Sequence, residues 1–402
     1  MTEVYVYDAV RTPRGKGRPG GSLSTIAPVE LVAQLVRALE RRNGRDAVHA
    51  AGAFILGCVT QVGAQGGHIA LASRIRAGLP DDMPVLTINN FCVSGLSAVA
   101  DAARRVASGE AELALAGGVE SMSQVEFMTD KATYYADMDQ ASAMGWAPVG
   151  VAADLLATAD GIDRAAMDQA VLRSHQRAAK AWVEGRYADR VVAITHPDGS
   201  VALAHDENIR DFGDGASLTK LPPVFAPFGA AGFDDILAQH RPDIGAVDHR
   251  HTVAHCPPIS DGAAMVLVGS KAAGERYGLS PLARIRGVSE AAADRVMQLT
   301  AGFAALDKAL DRAGLGLSDV GAVEFMEAFA AVPVKFERDR APDMTRVNVN
   351  GGHLAMGHPM GATGAILLGT LIDVMRQTDV DTGVVAATGG VGVGAAMVLE
   401  RT

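Results

Sequence analysis

The chain has 402 residues, of which 49% are hydrophobic and 20% charged, with a net charge of −10. That is enough apolar material for two or three domains with real cores, and it excludes a disordered protein. The acidic balance shows no basic stripe for nucleic acid or anionic membrane, and Gly, Pro or charge interrupts every long apolar run before it could span a bilayer.

The opening residues MTEVYVYDAVRTPRG carry no secretory signal, so a cytoplasmic location is expected. Thr2 to Val10 reads as a first strand, and Ala27 to Arg42 as an amphipathic helix with Leu31, Leu35 and Leu39 on one side. AGAFILGCV is a nearly continuous apolar run, as expected of a central strand covered on both faces, and Cys58 within it reads as packing alone. GGHIALASRIRAGLP follows as a helix, and MPVLTINNF as a strand that delivers Cys92. Three cysteines, Cys58, Cys92 and Cys256, have no metal-ligand spacing, so free thiols and no metal are expected.

The stretch around Cys92 organises the rest. Leu96, Val99, Ala103 and Val106 recur at helical spacing, Gly109 closes the helix, and Leu113 to Ala116 form the next strand. Cys92 is therefore expected at a helix N-terminus, where the dipole and exposed N–H groups favour a thiolate and could hold an oxyanion. Ser94 and Gly95 beside it leave room for a substrate, an arrangement that suits a nucleophile in acyl transfer.

From about residue 120 to 250 the composition changes. Met122, Met128, Met138 and Met144 sit among Tyr134, Tyr135 and Trp146 without clean periodicity and read as subdomain core or subunit interface. A helical stretch from Asp163 to Tyr187 and a polar region follow, together an inserted subdomain. Beyond it the first pattern returns. LDKALDRAGLGLSDVGAVEFMEAFA repeats the helix, turn and strand of residues 31 to 58, and the segment from Val347 to Gly390 repeats the surroundings of Cys92, with His358 in the special turn. Two α/β halves related by duplication would bring the two turns together near a pseudo-twofold axis. The glycines of GGVGVG are not read as a dinucleotide loop, because the chain left after them cannot form a βαβ unit.

These residues resemble one family, the thiolases, along essentially the whole chain. DAVRTPRGKGRPGGSL, INNFCVSGLSAV, AGGVESMS, ISDGAAMVLV, NVNGGHLAMGHPMGATGA and GGVGVGAAMVLE are similar to its motifs, in the same order. The resemblance implies an α/β fold with a five-layered α-β-α-β-α core from two duplicated halves: residues 1–120 plus 251–272, an inserted loop domain at 121–250, and 273–402. It implies a homodimer or homotetramer acting on acyl-CoA and coenzyme A, with no cofactor beyond the thioester substrate. It also implies that Cys92 accepts the acyl group, that His358 activates it and holds a thioester oxygen, and that the N–H groups of Cys92 and Gly390 form an oxyanion hole.

The chain also departs from that family. Most thiolases carry a second cysteine as the acid/base for the α-proton; here that position is Thr388, whose hydroxyl is far too weak an acid. The usual Asn or His before EAFA is Met326, and HCPPISDG places prolines where a small polar residue is common. Three readings follow: a working thiolase in which His358, His353, His255 or Cys256 replaces the missing cysteine; acyl transfer or thioester hydrolysis without C–C chemistry; or a non-catalytic acyl-CoA-binding partner subunit.

Overall fold

A computed structural model describes residues 2–402. Nine strands form one hydrogen-bonded path: β1 Val4–Arg11, β2 Phe54–Gly57, β3 Val85–Ile88, β4 Leu113–Ser121, β5 Ser260–Ser270, β6 Ala283–Ala292, β7 Ala322–Phe325, β8 Thr382–Gly389 and β9 Val393–Arg401. Their spatial order is β7-β8-β9-β6-β1-β5-β4-β2-β3. The path divides at β1 and β6, which share only the pairs Tyr5 to Arg284 and Val6 to Ala283.

The two sides of that division have the same topology. In the first, β1, β5 and β4 are antiparallel neighbours, followed by β2 and β3 in parallel. In the second, β6, β9 and β8 are antiparallel neighbours, followed by β7 in parallel and then a parallel bridge to Val347. The turn of Cys92 follows β3, and the turn of His358 follows the bridge at Val347, so the two turns occupy equivalent positions.

Helices make the other layers. Helix α1 (Pro28–Asn43) buries Leu31, Leu35 and Leu39 on the outer side of the first sheet, and α2 (Ile69–Ala77) packs beside it. The central layer is α3 (Ser94–Ser108) with α6 (Thr363–Gln377), and α5 (Ala301–Ala313) covers the second sheet. Strand β4 is buried at every position because helices cover both its faces.

The central helices meet at backbone distance. A Cβ on Gly95 would lie 2.6 Å from Gly361 O, and one on Gly364 2.5 Å from Leu96 N. Glycine is required at both positions because nothing larger lets the two helix starts approach this closely.

The stretch between β4 and β5 contains α4 (Arg164–Val183), shorter helices and a small hairpin of Ile194–Thr195 with Val201–Leu203. It is tied to the core by a buried ion pair, Arg11 to Asp206, which makes two bonds of 2.7 and 2.8 Å. Trp182 Nε1 and the Arg14 N–H also donate to Asp206. The methionines divide: Met122 is buried against Val59 and Met360, whereas Met138 and Met144 are exposed. Among the described residues no helix is long and apolar enough to cross a membrane.

Candidate functional site

The Cys92 turn is locked by its own side chains. Asn89 accepts the Phe91 N–H, Ser94 Oγ accepts the Asn90 N–H at 2.8 Å and donates to Phe91 O, and Asn90 Nδ2 donates to Ser97 Oγ. Phe91 consequently sits at φ +47°. Helix α3 begins at Ser94, two residues beyond the thiol. Cys92 is half-buried and borders a narrow cavity of about 60 Å³ whose walls include Phe91, Met128, Trp146, Val149 and Met360.

That apolar shell works against the thiolate that the helix N-terminus favours. Burial pushes the Cys92 thiol up to about 12, and the Glu120 carboxylate adds to the rise; the N–H groups of Gly390 and of Cys92 itself pull the other way without prevailing. Several of the residues that wall this cavity, among them Met128, Trp146 and Val149, come from the inserted segment, far away in sequence.

His358 is anchored by its backbone, which donates to Pro258 O at 2.9 Å. Its Nδ1 lies 2.6 Å from Thr363 Oγ1, which in turn lies 3.2 Å from Pro359 O. With the Thr363 hydroxyl donating to Pro359 O, His358 Nδ1–H donates to Thr363 and Nε2 is the acceptor. Among the described residues His358 Nε2 has no hydrogen-bond partner. Burial, reinforced by the nearby Arg14 guanidinium, pushes the imidazole down to about 3, so its charged form lies well below the range expected of an ordinary histidine. Both shifts favour a neutral imidazole and a protonated thiol over an ion pair.

Glu120, at the end of β4, joins the loop after β2 to the His358 turn and was not singled out by the sequence. Its carboxylate accepts N–H groups from Val59 at 3.0 Å, Thr60 at 3.1 Å and Gly361 at 2.9 Å, together with Gln65 Nε2 at 2.7 Å. The signal available was an acidic residue ending an otherwise apolar run, LALAGGVES.

Gly390 opens the turn after β8, and a Cβ on the preceding Gly389 would lie 3.3 Å from Cys92 N. The glycine turn, the Cys92 turn and the His358 turn therefore converge. Thr388 is the penultimate residue of β8, just before that glycine turn, and Met326 follows β7. Thr388 is fully buried with Oγ1 unpartnered, and Met326 packs in the main core.

The other acid/base candidates are placed differently. His255 is held at both nitrogens, by Asp168 at 2.8 Å and by the Thr252 N–H at 3.0 Å, and Cys256 Sγ lies 3.4 Å from Thr252 O. His353 is fully buried, its ring 5.8 Å from that of His358 in a T-shaped arrangement. A thiol facing two N–H donors can form a thioester and stabilise the oxyanion that precedes it, and the turn that carries His358 reaches the same cavity through Met360.

Residues 4–232 match the family described as thiolase, N-terminal domain, and residues 279–401 match thiolase, C-terminal domain. The chain is 34% identical over 409 residues to a 3-ketoacyl-CoA thiolase of Photorhabdus laumondii, covering 100% of both. It is 35% identical over 420 residues to a beta-ketoadipyl-CoA thiolase of Pseudomonas knackmussii, covering 99% of both. The structure of human mitochondrial 3-ketoacyl-CoA thiolase superposes with a TM-score of 0.84 at 28% identity, covering 100% of this chain and 99% of that one. Similarity of this extent in sequence and fold, over both halves, means that the chain belongs to the thiolase family and is an acyltransferase.

Proposed function

We propose that this chain cleaves short 3-oxoacyl-CoA thioesters with Cys92 as nucleophile and His358 as the only acid/base. The observation that carries this reading is the unpartnered Nε2 of His358, fixed by Nδ1 to Thr363, in a site where position 388 offers only a buried hydroxyl. In the first step Cys92 Sγ bonds to C3 while its proton passes to His358 Nε2, and the oxygen of C3 becomes an oxyanion facing the N–H groups of Cys92 and Gly390. With the thiol at about 12 and the imidazole at about 3, a separated ion pair lies far uphill, so proton loss accompanies C–S bond formation. The C2–C3 bond then breaks, and His358 returns the proton to C2, releasing acetyl-CoA. In the second step the thiol of coenzyme A gives its proton to His358 and attacks the acyl-cysteine; acyl-CoA leaves and Cys92 recovers the proton. Every proton is accounted for, and no resident cofactor is required.

The cavity supports a short, uncharged acyl group. At about 60 Å³ it is far below the ~150 Å³ space that holds a benzene. Among the described residues lining it Asp130 carries the only charge, so a beta-ketoadipyl carboxylate would meet no cation. Thr388 also favours a second reading, acyl transfer or thioester hydrolysis without C–C cleavage. Intact mass after incubation with acetyl-CoA, and separately with acetoacetyl-CoA plus coenzyme A while following acetyl-CoA release, separates the two. An acetyl adduct with thiolysis supports the thiolase reading, an adduct without thiolysis supports the second, and an adduct that persists in Cys92→Ser sinks both.

A cytoplasmic homodimer or homotetramer completes the proposal. The free edge of β3, where Leu86 is exposed, supports pairing with a second copy, and light scattering of the purified chain tests it.

A further inference from the structure

Gln298 is 1% exposed, yet its backbone sits at φ +52°, in the left-handed region that favours glycine. A non-glycine residue stays there only where its surroundings over-determine it. Both ends of its carboxamide are engaged: Nε2 donates to Ala147 O at 2.7 Å and Oε1 accepts the Val391 N–H at 3.1 Å. Val391 is itself at φ +58°, and the Ala293 N–H donates to Gly392 O at 2.9 Å. The turn Gly390–Gly392 is thus suspended from residues 293–298 at two points, and its leading N–H, that of Gly390, faces Cys92 Sγ. Ala147 lies between Trp146 and Pro148, which wall the acyl cavity, so one side chain joins that wall to the glycine turn.

We infer that Gln298 is a positioning residue for the oxyanion hole: its carboxamide sets the Gly390–Val391 peptide so that the Gly390 N–H meets the sulfur of Cys92 and the oxyanion formed beside it. The inference deepens the acyl-transfer reading of Cys92 and, for its effect on rate, rests on it. An amide serves because one end accepts and the other donates; a methionine of similar length has no donor and only a weakly accepting sulfur.

The test compares the full-length chain with Gln298→Gly, which relieves the positive φ, and Gln298→Met, which keeps the length. Cys92 alkylation by iodoacetamide is followed by intact mass across pH, together with thermal stability and the rate of acylation by acetyl-CoA. The other groups near the thiol, Glu120, His358, Asp130 and Tyr135, are common to all three chains. Loss of the Gly390 N–H raises the thiol pKa, so both variants should alkylate about threefold more slowly at each pH, the lost thiolate being partly offset by higher nucleophilicity. Acylation should slow about 100-fold, as for loss of one oxyanion donor, and Gln298→Gly, which relieves the strained backbone, should lose less stability than Gln298→Met. Alkylation profiles that superimpose on the parent's overturn the inference. Shifted profiles in chains that never form the acetyl adduct uphold the positioning role and discard the acyl-transfer reading instead.

Discussion

Glu120 accepts the backbone N–H of Gly361 at 2.9 Å, across the division between the two halves of the chain. Four N–H donors reach its two oxygens, so the Cys92 side and the His358 side share one buried anion. A Glu120→Gln side chain would turn an NH2 group toward two of those donors. The variant should lose about 3 kcal/mol in urea unfolding, the cost of leaving buried donors unpaired. Because burial raises the Glu120 pKa, the folded chain holds that proton more tightly than the unfolded chain, and this group's contribution to stability falls as pH rises through the carboxylate range.

Asp206 works in the opposite sense. Burial would raise its pKa, but the Arg11 guanidinium and its neighbours hold it below the ordinary carboxylate value. Its stabilisation is therefore present above the unfolded pKa of about 3.9 and is lost as pH falls through the lower folded value. Asp206→Asn should cost about 3–5 kcal/mol at neutral pH by leaving Arg11 buried and uncompensated, and should flatten the acid limb of a stability-against-pH curve.

Cys92 should behave as an ordinary, deeply protonated thiol in the free chain. Its raised pKa means that the thiolate fraction grows tenfold per pH unit, so the logarithm of the iodoacetamide rate should climb steadily from about pH 6 to about pH 10 without a plateau. A plateau below about pH 8 would instead indicate a thiolate–imidazolium pair with His358.

Thr388→Cys exchanges a buried hydroxyl without a partner for a thiol, so stability should change by less than about 1 kcal/mol. If C–C cleavage is limited by having a single acid/base, turnover of acetoacetyl-CoA with coenzyme A should rise about 10-fold or more. An unchanged turnover would mean that His358 already meets the need.

Much of this site was legible in the sequence because its parts are local. The Cys92 turn is bracketed by a strand and a periodic helix, and the His358 turn by their repeat, so motif and topology agree. What was not legible depends on contacts made across the chain. The raised pKa of Cys92 follows from its burial beside a cavity that Met128, Trp146 and Val149 of the inserted segment help to wall. Glu120 reads as the end of a strand until Gly361 is placed opposite it. Gln298 gave no warning, since nothing in a glutamine announces a left-handed backbone. His353 and His255 carry the right chemistry, but His353 is buried beside His358 and His255 is held at both nitrogens, and only the fold distinguishes them from His358.

The pairing of β1 bears on how the chain folds as it is made. Val4 pairs with Ser270 on one side and Tyr5 with Arg284 on the other. At ~5–20 residues per second the ribosome needs tens of seconds to supply those partners. Until then the first strand has neither neighbour, and β4 also lacks the antiparallel strand that covers its other edge. The N-terminal half cannot finish before the inserted segment has emerged, so a pause or truncation before residue 260 would strand an apolar, edge-exposed intermediate. For this chain, safe synthesis depends on the arrival of β5 rather than on the early strands.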